Sequence, residues 1–230
     1  MLRQLFGEPR REDSGLLLEV NRSIDKYMSI LRQQRNQMPD RKFKRLYIWS
    51  QGFVRALDEL EQSVYCSAKF AERVTKAYAE EMNEQEKDDY HRHVYYYKNA
   101  FIRLFSILDK LGHFLNELYE LKADRVKSRF SYFTVLRVMH QRHVGKELEQ
   151  QLYNLKMEYK EPLDRLRNQR NMEIHTINAD LLDDLLKAME SKQSNERIPI
   201  EDVEANMTDL QQTYEMTCKA VLKVVSHISH

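Results

Sequence analysis

The sequence predicts an all-α fold built as a bundle of long antiparallel helices. Three observations carry this. The 230 residues include only 5 Gly and 4 Pro, too few for the turn every ~8–12 residues that a β-sandwich or barrel needs. Apolar residues recur at steps of three and four over long stretches, the period of one helix face. Hydrophobic residues make up 42% of the chain, and this periodic content is too high for a disordered chain.

The elements follow in order. Residues 1–15 read as a polar leader: Gly7, Glu8, Pro9, Arg10 and Arg11 leave no apolar core for a signal peptide. A first helix is expected from Leu16 to Met38, with Leu17, Val20, Ile24, Tyr27 and Leu31 as its inward stripe. Pro39 stops it. A second is expected over Lys42–Glu80, capped by Asp40. Its inward set includes Phe43, Leu46, Ile48, Trp49, Phe53, Leu57, Leu60 and Val64. Gly52 inside it is read as a close-packing position. The third runs from about Asn83 to Ala123, with Val94, Tyr97, Phe101, Leu104, Phe105, Leu108, Leu111, Leu115 and Leu118 inward and Gly112 as a bend. Of the run Tyr95-Tyr96-Tyr97, only Tyr97 is assigned to the core, since three consecutive residues cannot share one helix face.

Asp124 is read as opening a shorter helix that ends before Gly145. Further helices are expected over Lys146–Tyr159, from Pro162 to about His175, and over Ala179–Glu190. A polar loop, Ser191–Arg197, precedes a last helix from about Glu201, in which Val203, Met207, Leu210, Tyr214, Thr217, Val221, Leu222 and Val225 face inward. No strand is expected.

The formal net charge is +1, so affinity for nucleic acid would rest on local patches. Two stretches qualify. Residues 122–146 carry Lys122, Arg125, Lys127, Arg129, Arg137, Arg142 and Lys146 against Asp124, with Phe130, Tyr132 and Phe133 available for stacking. Residues 22–45 carry eight Lys or Arg against Asp25 and Asp40. The ordinary alternative for both is a solvated helix face with its aromatics in the core.

Cys66 and Cys218 form neither a disulfide framework nor a zinc pattern. The histidine pairs His91/His93, His140/His143 and His227/His230 lack the repeated Glu-x-x-His that a di-iron bundle needs. No metal or other cofactor is expected. No uncharged apolar run is long enough to span a bilayer, so no membrane partner is expected and a cytoplasmic location is the simplest reading.

The sharpest local feature is Arg170-Asn171-Met172-Glu173-Ile174-His175. Asn171 and His175 are four apart and share a helix face. Arg167 precedes Asn171 by four. One helix thus offers an imidazole that can move a proton near neutral pH and guanidiniums that bind phosphate through paired hydrogen bonds. These are parts that cleave RNA without a metal. Arg-to-His spacing alone is unspecific, since Arg137 to His143 repeats it; Asn directly after Arg narrows it.

This Arg-Asn-x-x-x-His, following Leu163-Asp164-Arg165-Leu166-Arg167 early in a late helix, resembles the HEPN superfamily. The likeness extends over a core of about residues 83–190. It implies an all-α bundle of four or five helices. Many members are metal-independent endoribonucleases whose motif is completed across a homodimer; others bind RNA or nucleotides, or act as partners in toxin–antitoxin or defence systems. By this resemblance Arg170 faces the phosphate, Asn171 assists and His175 is the acid/base. Arg167, Lys127, Arg129, Arg137, Arg142 and His143 are the candidate RNA contacts. A homodimer is implied, with an antitoxin or nucleotidyltransferase as a further partner. The chain is longer than a minimal member, by a hairpin over residues 16–80 and a helix over 201–229. Residues 16–230 are read as one domain. The alternative is a non-catalytic helical module that binds RNA, a nucleotide or a partner protein.

Overall fold

The computed structural model describes residues 2–128, 130–175 and 199–229. Among them are seven α-helices: α1 (Gly15–Gln33), α2 (Asp40–Ala71), α3 (Glu84–Leu118), α4 (Tyr132–Arg142), α5 (Lys146–Glu158), α6 (Lys160–His175) and α7 (Val203–Ile228). The described residues contain no strand, only an isolated antiparallel bridge between Tyr78 and Pro199. No helix among them is long and apolar enough to cross a membrane. The expected helix over Ala179–Glu190 and loop over Ser191–Arg197 lie outside the described residues.

The spine is the antiparallel pair α2 and α3, each roughly 50 Å long at ~1.5 Å per residue. Polar rungs fix its register. Lys42 pairs with Glu120 at 2.9 Å and Arg45 with Glu117 at 2.7 Å. Farther along, Arg103 pairs with Glu59, and the Ser63 hydroxyl donates to Asn99 at 2.9 Å. At the far end Ser67 Oγ lies 3.1 Å from His93 Nδ1. Helix α7 packs against α1, α2, α3, α5 and α6, so it fills the centre. The leader is clasped to α2: Arg3 and Arg11 each pair with Glu61 at 2.5 Å.

The predicted inward stripes of α1 and α3 hold, with Leu17, Val20, Ile24, Tyr27 and Leu31 buried, and with Phe101, Leu104, Phe105, Leu108, Leu111 and Leu115 buried. Tyr97 is buried while Tyr95 is exposed.

Several expectations need correcting. Helix α1 ends at Gln33 rather than Met38; a 3-10 turn over Arg35–Gln37 follows, and Met38, the residue before Pro39, is extended (φ −136°, ψ 159°). Helix α2 stops at Ala71, not Glu80. The buried Glu86 carboxylate accepts from Thr75 N at 2.6 Å, Thr75 Oγ1 at 2.9 Å and Lys76 N at 2.9 Å. These amides are thereby diverted from a helical ladder. Asp40 does not cap α2; it is the first helical residue and pairs with Lys44 at 2.6 Å. Ile48 points outward. Gly52 is not a packing position within the chain, since a Cβ there would meet nothing within 4 Å.

Helix α3 runs through Gly112 without interruption. A Cβ there would stand 2.8 Å from Tyr132 Cα, so glycine is what lets the start of α4 approach α3. Helix α3 ends at Leu118, where Glu120 and Lys122 adopt the left-handed region (φ 52° and 50°). Asp124 lies in a short 3-10 turn. Ser131, in a capping box with Thr134, opens the next helix instead.

Candidate active site on the sixth helix

Helix α6 hangs on the spine by its edges. Arg165 holds the buried Asp209 of α7 through two bonds of 2.6 and 2.8 Å. Gln169 donates to Asn206 at 3.0 Å and accepts from the Tyr97 hydroxyl at 2.5 Å. Lys98 of α3 pairs with Glu173 at 3.1 Å. Leu163 and Leu166 are buried beneath. The pairings 98 with 173 and 97 with 169 tie α6 to one short stretch of α3. A groove of about 380 Å³ runs between them, lined by Tyr97, Lys98, Phe101, Gln169, Met172 and Glu173.

Arg170 differs from its neighbours. Its guanidinium lies over the Phe105 ring, 4.9 Å from the centroid. Its Nε is buried without a hydrogen-bond partner. Among the described residues it has no ion pair, whereas Arg165, Arg167 and Lys98 each have one. Asn171 follows it on the exposed side. Helix α6 is described as far as His175; the side chain of that residue lies outside what the structure describes, as does Arg129.

The site also includes residues that the sequence did not single out. Phe105, Asp109 and His113 follow one another at four-residue steps and share a face of α3. Asp109 accepts from the Tyr132 amide at 3.2 Å, at the start of α4. Burial raises the Asp109 carboxyl above its ordinary range, opposed by that amide and by the nearby Arg170 and His113. His113 is exposed and packs against Phe130, with ring centroids 4.5 Å apart. Guanidinium, carboxyl and imidazole therefore line one strip beside the motif. An i,i+4 series on a separate helix has no signature that distinguishes it from ordinary surface.

The predicted RNA contacts do not all converge. Arg167 lies over Phe133, 5.2 Å from its centroid, and pairs with Asp164. Arg137, one turn beyond Phe133 on α4, is exposed. Arg142, at the opposite end of α4, donates to the Leu121 carbonyl, and His143 terminates the helix in the left-handed region (φ 56°). Lys127 is exposed in the loop before α4. The stacking role expected of Tyr132 fails, because its ring is fully buried. Among the described residues no three His, Cys, Asp or Glu side chains gather as a metal-ligand group.

The family model described as HEPN_Cthe2314-like HEPN matches residues 49–229. No curated protein and no solved structure matches the chain.

Proposed function

From a chain that belongs to the HEPN_Cthe2314-like HEPN family, we propose a metal-independent endoribonuclease that acts as a homodimer. The carrying observation is Arg170: a half-buried guanidinium set on an aromatic ring, its Nε without a hydrogen-bond partner and with no carboxylate paired to it among the described residues. A cation held in that state is preorganised for an anion from outside the chain, and a phosphodiester matches its fork of donors.

In this reading the RNA 2′-hydroxyl attacks the adjacent phosphorus while a His175 imidazole takes its proton. The phosphorus–O5′ bond breaks, and the leaving oxygen receives a proton from a second imidazole. The products are a 2′,3′-cyclic phosphate and a 5′-hydroxyl. Arg170 stabilises the charge that grows on the phosphoryl oxygens. Asn171 orients the nucleophile or the imidazole. One motif supplies one imidazole at this position, so a twofold copy supplies the other. Exposed apolar side chains fit such an interface: Tyr95 and Ile102 share a face of α3, and Met172 and Ile174 lie on α6.

The test uses purified full-length protein, an RNA mixture and EDTA, with His175→Ala and Arg170→Ala in parallel. Cleavage by the wild type and its loss in both variants is expected. Equal cleavage by all three overturns the assignment. RNA binding without cleavage leaves the non-catalytic module.

A further inference from the structure

A second cationic surface lies where α1 ends and α2 begins. Phe43 and Tyr47 are stacked, with centroids 5.7 Å apart and planes 23° apart. Arg32, at the end of α1, lies 5.3 Å from the Tyr47 centroid and donates to its hydroxyl at 2.5 Å. Arg35 lies 5.5 Å from the Phe43 centroid. Both arginines are exposed, and the two rings are half-buried. All four groups therefore stand together on one open surface.

The charges around them are unevenly matched. Lys42, Lys44 and Arg45 are paired with Glu120, Asp40 and Glu117. Arg32 and Arg35 have no ion pair among the described residues. Asp40, which feels the Arg35 charge, is committed to Lys44 at 2.6 Å. Two unneutralised guanidiniums anchored on two stacked rings present a flat, positively charged surface. An acidic peptide would need only the charges. A surface with aligned rings selects a ligand that is both anionic and planar, which describes a nucleobase on its phosphate backbone. A duplex keeps its base faces covered, so the fit is to a single strand.

We propose that Arg32, Arg35, Phe43 and Tyr47 form a stacking platform for single-stranded nucleic acid. Its four residues precede residue 49, where the family match begins. It is also independent of cleavage.

The probe is a short 5′-labelled oligodeoxythymidylate, which lacks the 2′-hydroxyl and cannot be cut by the route above. Binding is read by fluorescence anisotropy across a salt series. The double variant Arg32→Gln/Arg35→Gln should weaken binding at least about tenfold and flatten the log–log salt slope by roughly 1.4, at ~0.7 per single-strand phosphate contact. Tyr47→Leu should weaken it about fivefold or more through lost stacking. A control, Arg22→Gln/Lys26→Gln, removes the same charge from exposed positions on α1 and should change affinity less than twofold. Unchanged affinity in the arginine double variant overturns the platform. So does an equal loss in the control, equal binding of a duplex, or equal competition by polyglutamate. Circular dichroism of each variant confirms the fold, and the surface arginine pair keeps the test decisive if Tyr47→Leu unfolds.

Discussion

The Arg170 guanidinium carbon stands 4.9 Å from the centroid of the Phe105 ring, and its buried Nε has no acceptor. A chain folding for stability alone gains little from this arrangement, because a buried donor without a partner costs about 1–3 kcal/mol. The ring returns only part of that. Arg170→Ala should therefore alter unfolding free energy by no more than about 1 kcal/mol in a urea titration. On the proposed reading it should lower RNA cleavage about 100-fold or more, the usual loss for one transition-state donor. Arg170→Lys should not restore activity, since an ammonium lacks the fork geometry.

Tyr97 links α3 to α6 through its 2.5 Å bond to Gln169. Tyr97→Phe removes that bond and little else, at a cost of about 1 kcal/mol. Hydrogen exchange should accelerate in α6 while the α2–α3 spine stays protected. Equal acceleration throughout would show that the bond does not act locally.

Gly112 marks where α4 meets α3. Gly112→Ala gains helix propensity but places a methyl 2.8 Å from the Tyr132 backbone, which cannot swing aside as a side chain can. A net destabilisation of about 1–3 kcal/mol is expected from overpacking, measured by urea unfolding. The same shift displaces the Tyr132 amide from Asp109.

His93 is buried between α2 and α3, with Nδ1 3.0 Å from the Ser67 carbonyl. Burial holds its pKa below the ordinary 6.5, although the Ser67 carbonyl opposes this. The unfolded chain therefore binds a proton more readily than the native one. The stabilising contribution is complete above about pH 6.5 and is lost as pH falls from there through the depressed native value. Stability should decline over that window. In His93→Gln this part of the decline should be absent, as read from thermal midpoints across pH 4.5–7.5 (approximately the range in which histidine titrates).

Ile102 is 41% exposed on α3, beside the strip that carries Asp109. If the proposed dimer uses this face, Ile102→Glu should convert the assembly to monomer in light scattering and abolish cleavage together. A monomer that still cleaves would separate catalysis from dimerisation, and an intact dimer would exclude this face from the interface.

Much of the fold was legible in the sequence, since long helices advertise themselves through apolar spacing. Leu17 to Leu31 and Phe101 to Leu115 were readable for that reason. Helix ends were less so. The end of α2 depends on Glu86, which reaches back to Thr75 and Lys76 from the next helix. Ile48 is apolar yet faces solvent, because it stands two residues, about 200° around the helix, from the buried Leu46 and so falls off the stripe. At the candidate site, Arg170 and Asn171 were readable as a local motif. Asp109 and His113 were not, because their proximity to Arg170 arises from packing between distant segments.

The rungs between α2 and α3 occur at both ends and the middle, from Lys42–Glu120 to Ser67–His93. Sliding one helix past the other by a single turn would sever every rung at once. Shear along this axis is thus opposed at several levels. Adjustment on meeting a substrate or a second copy is expected in α6, which is tied to its neighbours over a shorter length.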